Sequence, residues 1–306
     1  MKRILILGGN GYIGSRLGQV LSQSMHNGEP NTVKTIDIGW FESQNNDERV
    51  DYRDLSATDL SLYDIVVLLA GHSSVKTCAG DICSPWANNV TNFDNLVKKL
   101  SNDQLLIYAS SSSVYGNNNP DIIHSEDSIS FAPINNYDLT KYVLDLHAQI
   151  AMAGGKNIIG LRFGTVNGWS PVLRTDVMIN AMYHSAIADG KVVITNKHIN
   201  RALLGIEDLC RAIMRCINRP VSGIYNLASF NTTVSEVAQI VSNNTSAIIE
   251  DHGNTTGVYD FGLNCDKFKA AYDFEFEETP QTIVDGLILR YPESILGRRD
   301  DYINYE

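Results

Sequence analysis

The stretch Ile4-Leu5-Ile6-Leu7-Gly8-Gly9-Asn10-Gly11-Tyr12-Ile13-Gly14 decides how the rest of the chain is read. Every position from Ile4 to Leu7 is apolar, the pattern of a parallel strand buried on both faces. The run breaks at glycine and restarts with Ile13, Leu17, Val20 and Leu21 at helical spacing. Glycines at 8, 11 and 14 give a tight turn, a bare backbone that a pyrophosphate can approach, and close helix–strand contact. The helix start, at Tyr12 and Ile13, offers free N–H groups and a positive dipole end to phosphates. Strand, glycine loop and helix together predict dinucleotide binding.

Downstream segments extend this reading. Val33 to Ile38 is expected as a second strand, and Asp37 lies 23 positions beyond Gly14. A dinucleotide fold places there the acid that bonds the adenosine ribose hydroxyls, and a carboxylate repels a 2′-phosphate, which favours NAD over NADP. A solvated strand-end aspartate is the competing reading. Val50 to Leu55 is expected as a short third strand, Asp64 to Gly71 as a buried fourth, and Gln104 to Ala109 as a fifth. A helix opening at Pro85 separates the last two. Such alternation predicts a doubly wound α/β fold, a Rossmann-type parallel sheet with right-handed crossovers.

Ser110-Ser111-Ser112-Ser113 closes the fifth strand, at the carboxyl edge where such sheets bind ligands. A long polar loop to Asn136 leads into a helix that opens Tyr137-Asp138-Leu139-Thr140-Lys141 and stops at Gly154-Gly155. Tyr137 and Lys141 are i and i+4, on one helix face. An ammonium beside a phenol pulls its pKa down from about 10, as a proton acceptor for an alcohol requires. The Y-x-x-x-K spacing also arises by chance; its place after strand, serines and loop gives it meaning.

Bulk properties fit this picture. The chain has 306 residues with Lys+Arg 24 against Asp+Glu 35, a net charge of −11. That balance argues against nucleic acid as a partner. Cys78, Cys83, Cys210, Cys216 and Cys265 lack C-x-x-C spacing, so reduced thiols are expected and no metal site. No stretch reaches the length of a membrane span and no signal segment is visible, so no membrane partner and a cytoplasmic location are expected.

Jointly, Gly8-x-x-Gly11-x-x-Gly14, Ser-Ser-x-Val-Tyr-Gly at 111–116, Tyr137-x-x-x-Lys141 and Leu161 to Gly168 resemble the extended short-chain dehydrogenase/reductase family, in its nucleotide-sugar epimerase/dehydratase branch. The resemblance runs from residue 1 to about 290. It implies Ser111 at the reacting oxygen, Tyr137 as base and Lys141 on the cofactor ribose. Asp54 and Leu55 match the pair beside adenine; Leu69, Ala70, Gly71 and Ser73 match the cofactor and substrate wall. Ser112, Thr165 and Val166 match the surface between nicotinamide and substrate, and Arg201 and Asn180 match substrate-phosphate ligands. Arg174, near Asp176, matches a helix capping the substrate pocket in one subgroup; a solvated loop arginine fits it equally. The implied division is an NAD-binding domain over 1–166 with 200–222 returning to it, a substrate lobe over 167–199 and 223–292, and a tail over 293–306.

Two departures limit the analogy. Sugar-nucleotide 4,6-dehydratases carry Asp-Glu where this chain has Ser112-Ser113, so dehydration lacks its proton donor. The family's R-x-G-D segment is replaced by His252-Gly253-Asn254-Thr255-Thr256-Gly257, which removes one charge-assisted phosphate contact. The expected activity is therefore NAD-dependent epimerisation of a nucleotide-sugar; the resemblance alone implies a homodimer, paired through the helix at 84–100 and the Tyr137 helix. A keto-sugar reductase or dehydrogenase using NAD(P) and the same residues is the alternative. A non-catalytic NAD-binding regulatory protein is a third reading, disfavoured by the intact Ser111, Tyr137 and Lys141.

Overall fold

The structure is a computed structural model and describes residues 1–26, 28–39, 49–116, 122–128 and 133–296. Six strands form the main sheet: β1 (Arg3–Leu7), β2 (Thr32–Ile36), β3 (Ile65–Leu68), β4 (Leu105–Ser111), β5 (Asn157–Phe163) and, from much later in the chain, Gly223–Leu227. Their spatial order is 223–227, β5, β4, β3, β1, β2, and every pairing is parallel. Alternate residues serve opposite faces. Ile4, Ile6, Val67, Ile107 and Leu161 enter one core, while Leu5, Leu7, Val66, Leu68, Leu106 and Tyr108 enter the other. This two-sided burial is why the strands read as unbroken apolar runs.

Helices cover both faces. They include α1 (Tyr12–Ser22), α2 (Asn92–Lys99), α3 (Asn136–Ala153), α4 (Met178–Asp189) and α5 (Ile206–Asn218), the last packed on α1. Cys210 and Cys216 on α5 are buried in the core, as expected of them. A three-stranded sheet joins β6 (Thr165–Asn167), β7 (Asn200–Gly205) and Phe230–Thr233 beside the main one. No helix among the described residues is long and apolar enough to cross a membrane.

Three expectations change. Val50 to Leu55 is no strand: Arg49 makes a single bridge to Asp37, and Tyr52–Asp54 is a 3-10 turn capped by Asp51. Val50-Asp51-Tyr52-Arg53 alternates as a strand would, but the Asp51 carboxylate accepts from Arg53 N at 2.9 Å and closes a turn in place of a sheet ladder. Gly223–Leu227, expected in the lobe, instead pairs with β5 at the edge of the main sheet, its Ile224 to Leu227 all buried. β7 pairs in parallel with β6, and α5 after it packs on α1. The expected 84–100 helix begins at Cys83 and contains a π-helical turn, Ala87–Thr91, before α2. The Arg298-Arg299-Asp300-Asp301 tail lies outside the described residues, as do 117–121 and 129–132 of the long polar loop.

Candidate active site

The glycine loop follows β1 at the carboxyl edge of the sheet. Gly8 sits at φ +91°, and a Cβ there would meet the Ala70 nitrogen at 2.7 Å. A Cβ on Gly14 would lie 2.1 Å from the Gly8 carbonyl oxygen, so strand and helix touch as the motif requires. Gly11 is the N-cap of α1 and makes no side-chain cap, which leaves first-turn N–H groups at Tyr12 and Ile13 facing outward from the helix. Asp37 closes the far side of this cradle. Its carboxylate accepts from Asn10 N at 3.0 Å and Gly39 N at 2.8 Å. A bare loop, an open helix start and an acid beside them fit an adenine dinucleotide carrying a free ribose diol.

Leu69, Ala70 and Gly71 continue this wall. Leu69 N and Ala70 N both donate to the Leu7 carbonyl at 2.9 Å. Gly71 sits at φ +144°, and buried Asn89 fixes the next residue by accepting from His72 N at 2.9 Å and donating to His72 O at 3.2 Å. The same amide donates to Thr140 Oγ1 on α3 at 3.1 Å. Sequence reasoning assigned Asn89 no role; its signal was an Asn-Asn pair inside a helix, where asparagine is a poor former. The π-helical turn aims this amide at two neighbours at once. Asp54 is exposed and Leu55 half-buried, with the Leu55 carbonyl accepting from Lys99 Nζ at 2.7 Å. Ser73 is exposed on the loop after Gly71.

The end of β4 and the start of α3 bring Ser111, Tyr137 and Lys141 together. Lys141 Nζ donates to the Ala109 carbonyl at 2.8 Å and lies 5.9 Å from the Tyr137 ring centre. Burial holds this ammonium down to about 8, with Asp145 opposing the shift. Tyr137 is half-buried, and desolvation pushes its phenol up to about 12. Ser111 and the Arg174 charge pull the other way. The sequence-based expectation of a phenol lowered by Lys141 is therefore not met by these side chains alone. Desolvation outweighs the nearby charges, and the lysine spends a hydrogen bond on a backbone carbonyl.

Around this centre the later elements add cations. Thr165 and Val166 lie on β6, and Arg201 on β7 points two donors across it: NH2 to Thr165 Oγ1 at 3.4 Å and NH1 to the Tyr259 carbonyl at 3.2 Å. Arg201 has no carboxylate partner within salt-bridge distance among the described residues, and burial lowers its pKa. Arg174 grips Asp176 through two bonds of 2.9 Å while lying close enough to bias Tyr137. Ser112 is half-buried beside Ser113, whose N–H donates to Ser111 Oγ at 3.1 Å.

Asn180 departs from expectation. It is fully buried, its Oδ1 accepts from Gly168 N at 2.9 Å, and its Nδ2 donates to Arg174 O at 3.0 Å, Tyr12 OH at 3.2 Å and Gly168 O at 3.3 Å. An amide so committed has nothing left for a substrate phosphate. It locks α4 to α1 through Tyr12, whose hydroxyl donates to Gly168 O at 2.8 Å. Tyr12 thus faces the cradle with its backbone and the interior with its ring.

Two further residues beside Tyr137 were not singled out from sequence. Asp138 is fully buried and accepts from Tyr259 OH at 2.7 Å, and burial raises its pKa. A charged residue just inside a helix start reads as an ordinary cap, and Tyr259 carries no motif; only the fold unites them. Among the described residues, no group of three or more His, Cys, Asp or Glu could hold a metal ion.

Comparison with known proteins gives the family and the fold. Residues 4–228 match the model of the NAD dependent epimerase/dehydratase family. Protein CapI of Staphylococcus aureus is 28% identical over 239 residues, covering 72% of this chain and 70% of that protein. The structure of a UDP-glucuronic acid 4-epimerase from Bacillus cereus, in complex with UDP-glucuronic acid and NAD, superposes with a TM-score of 0.79 at 21% identity, covering 93% of this chain and 97% of that one. The NAD dependent NDP-hexosamine 5,6-dehydratase TunA, involved in tunicamycin biosynthesis, gives 0.83 at 19% identity over 96% and 99%. The structural likenesses show the fold; the family match shows membership. This chain belongs to the NAD dependent epimerase/dehydratase family and works with NAD.

Proposed function

We propose that this member of the family is an epimerase that inverts a hydroxyl-bearing carbon of a nucleotide-activated sugar. The observation that carries the reading is the meeting of Ser111, Tyr137 and Lys141 at the sheet edge beside the Gly8–Gly14 cradle. NAD, when bound, would supply a reversible hydride acceptor for the sugar carbon and a positive charge that would favour the phenolate. The cradle and Asp37 would hold its pyrophosphate and adenosine, and Lys141 its second ribose.

The chain's own residues handle the proton. Tyr137 Oη takes it from the sugar hydroxyl as the carbonyl forms, and gives it back when the alcohol is restored. Ser111 Oγ donates toward the oxygen on which charge develops, a contact worth more in the transition state than before it. Lys141 keeps a positive charge within reach of the phenol. Arg201, which has no carboxylate partner among the described residues, would take a substrate phosphate, and Arg174, close enough to bias Tyr137, would supply a second cation. Ser112 and Ser113, standing where sugar-nucleotide 4,6-dehydratases carry acids, offer hydroxyls only, which supports epimerisation over that elimination. The exposed Leu146 and Ile150 on α3 offer an apolar face for a second copy, and a homodimer through α2 and α3 is part of the reading.

Replacing Tyr137 by Phe tests it. Removing a positioned general base typically costs about 10²–10⁴ in rate. UDP-glucuronic acid is a first substrate to offer, because a similar structure binds it. Unchanged turnover in Tyr137→Phe would reject the mechanism.

A further inference from the structure

The segment that replaces the family's R-x-G-D turn has a second use visible in the geometry. It follows the strand Ile248–Asp251 and leads, two residues after Gly257, to Tyr259 beside the first turn of α3. That turn is unusual in how fully its carboxylate is engaged. Asn135 is the N-cap, its Oδ1 accepting from Asp138 N at 3.0 Å. Asp138 Oδ2 reaches back to accept from Ile134 N at 3.2 Å and Asn135 Nδ2 at 3.1 Å. Its other oxygen accepts from Tyr259 OH at 2.7 Å, and Asn135 Nδ2 also donates to that hydroxyl at 2.8 Å.

The first three bonds are a helix cap of the ordinary kind. The phenol is not. It arrives from 121 residues later in the chain and ties a loop of the C-terminal region to the residue next to Tyr137. The same residue's backbone carbonyl accepts from Arg201 NH1 at 3.2 Å. One side chain and its own carbonyl therefore join the candidate phosphate-binding guanidinium to the helix turn that carries the base. Asp138 is fully buried with both oxygens taken, so it is closed to substrate.

We infer that Tyr259 is a positioning residue: a strut that sets the first turn of α3, and with it the Tyr137 phenol, relative to Arg201. The inference rests on the reading of Tyr137 as base. The chain just beyond the segment that lacks the arginine thus acts on the site through Tyr259. Loss of the hydroxyl leaves Arg201 its carbonyl partner, so binding of the nucleotide part is retained while the base is loosened. A misplacement near 1 Å at a reacting group costs up to about 10²-fold in rate, so a partial loosening is expected to cost about tenfold.

Tyr259→Phe tests this on the full-length protein in two independent arms. Hydrogen exchange without any ligand should speed up about tenfold or more at the amides of residues 134–141, while those of 145–153 keep wild-type rates. With substrate, kcat should fall about tenfold with KM within about twofold, and the thermal shift produced by UDP should match wild type. Asp138→Asn, which keeps the side-chain size, should give the same local exchange pattern. Wild-type exchange at 134–141 overturns the strut, and so does faster exchange with unchanged kcat. A wild-type protein that turns over no nucleotide-sugar rejects the proposed function instead, and the exchange arm then still decides whether the strut exists.

Discussion

Two alanine substitutions within one glycine motif should behave oppositely, and the difference follows from the loop's geometry. A Cβ on Gly14 would stand 2.1 Å from the Gly8 carbonyl oxygen and 2.8 Å from the Gly9 Cα. Both are backbone atoms that cannot rotate away, so strand and helix must separate. Overpacking of this kind costs about 1–3 kcal/mol. For a chain of this size that is about 2–6 °C in Tm, taking about 2 °C per kcal/mol. Gly11 lies at φ −76°, which alanine adopts freely, and its Cβ would approach the Gly8 oxygen at 3.5 Å, an ordinary contact. Gly11→Ala should therefore melt within about 1 °C of wild type. Its methyl would instead occupy the open side of the cradle, where a pyrophosphate must approach. Both variants should lose NAD affinity, by about tenfold or more, or about 1.4 kcal/mol. Scanning fluorimetry reads the first quantity and calorimetric titration with NAD the second. Equal melting losses for the two variants, or wild-type NAD binding by Gly11→Ala, would refute the reasoning.

Other expectations concern charge. Asp37→Asn removes the carboxylate facing the ribose and should narrow the preference for NAD over NADP about tenfold, read by titration with each. His124 is buried with neither ring nitrogen bonded to a described residue, stacked 4.7 Å from Tyr115, and burial lowers its pKa. The folded state then binds fewer protons than the unfolded one, so stability is complete above about pH 6.5 and falls as pH drops below it. His124→Phe should flatten that acid slope in melting curves taken from pH 7 to 5. Asp145 is the carboxylate partner of buried Arg162, with a 2.7 Å bond, and also accepts from Tyr108 OH at 2.8 Å. Asp145→Ala should cost about 3–5 kcal/mol in urea unfolding, because it strands a buried guanidinium.

Much of this site could be read from residues in order. The apolar run at β1, the glycine spacing, Asp37 and the Tyr137–Lys141 pair each follow a local period, and the structure brings them to one edge. The false third strand at 50–55 shows the limit of that method, since a bridge and a 3-10 turn satisfy the same short pattern. Gly223–Leu227 could not be placed because nothing in a buried strand states which sheet edge it joins. Asn180 could be located but not its commitments: its partners Tyr12, Gly168 and Arg174 are set by how α1 and α4 cross. Asp138 and Tyr259 were invisible for the same reason, being neighbours only in space. The Tyr137 pKa could not be read because burial, the largest cause, is a property of the folded surroundings.

The central claim is that Tyr137 and the dinucleotide act in a closed cycle on one sugar carbon. Its most direct test is to incubate the purified protein, with no cofactor added, with UDP-glucuronic acid and a panel of other nucleotide-sugars and to follow the sugar protons by NMR. The account predicts inversion of one hydroxyl-bearing carbon in one of them, continuing for many turnovers per protein molecule and lost in Tyr137→Phe. Conversion that stops at one equivalent per site, or that persists in Tyr137→Phe, would contradict it.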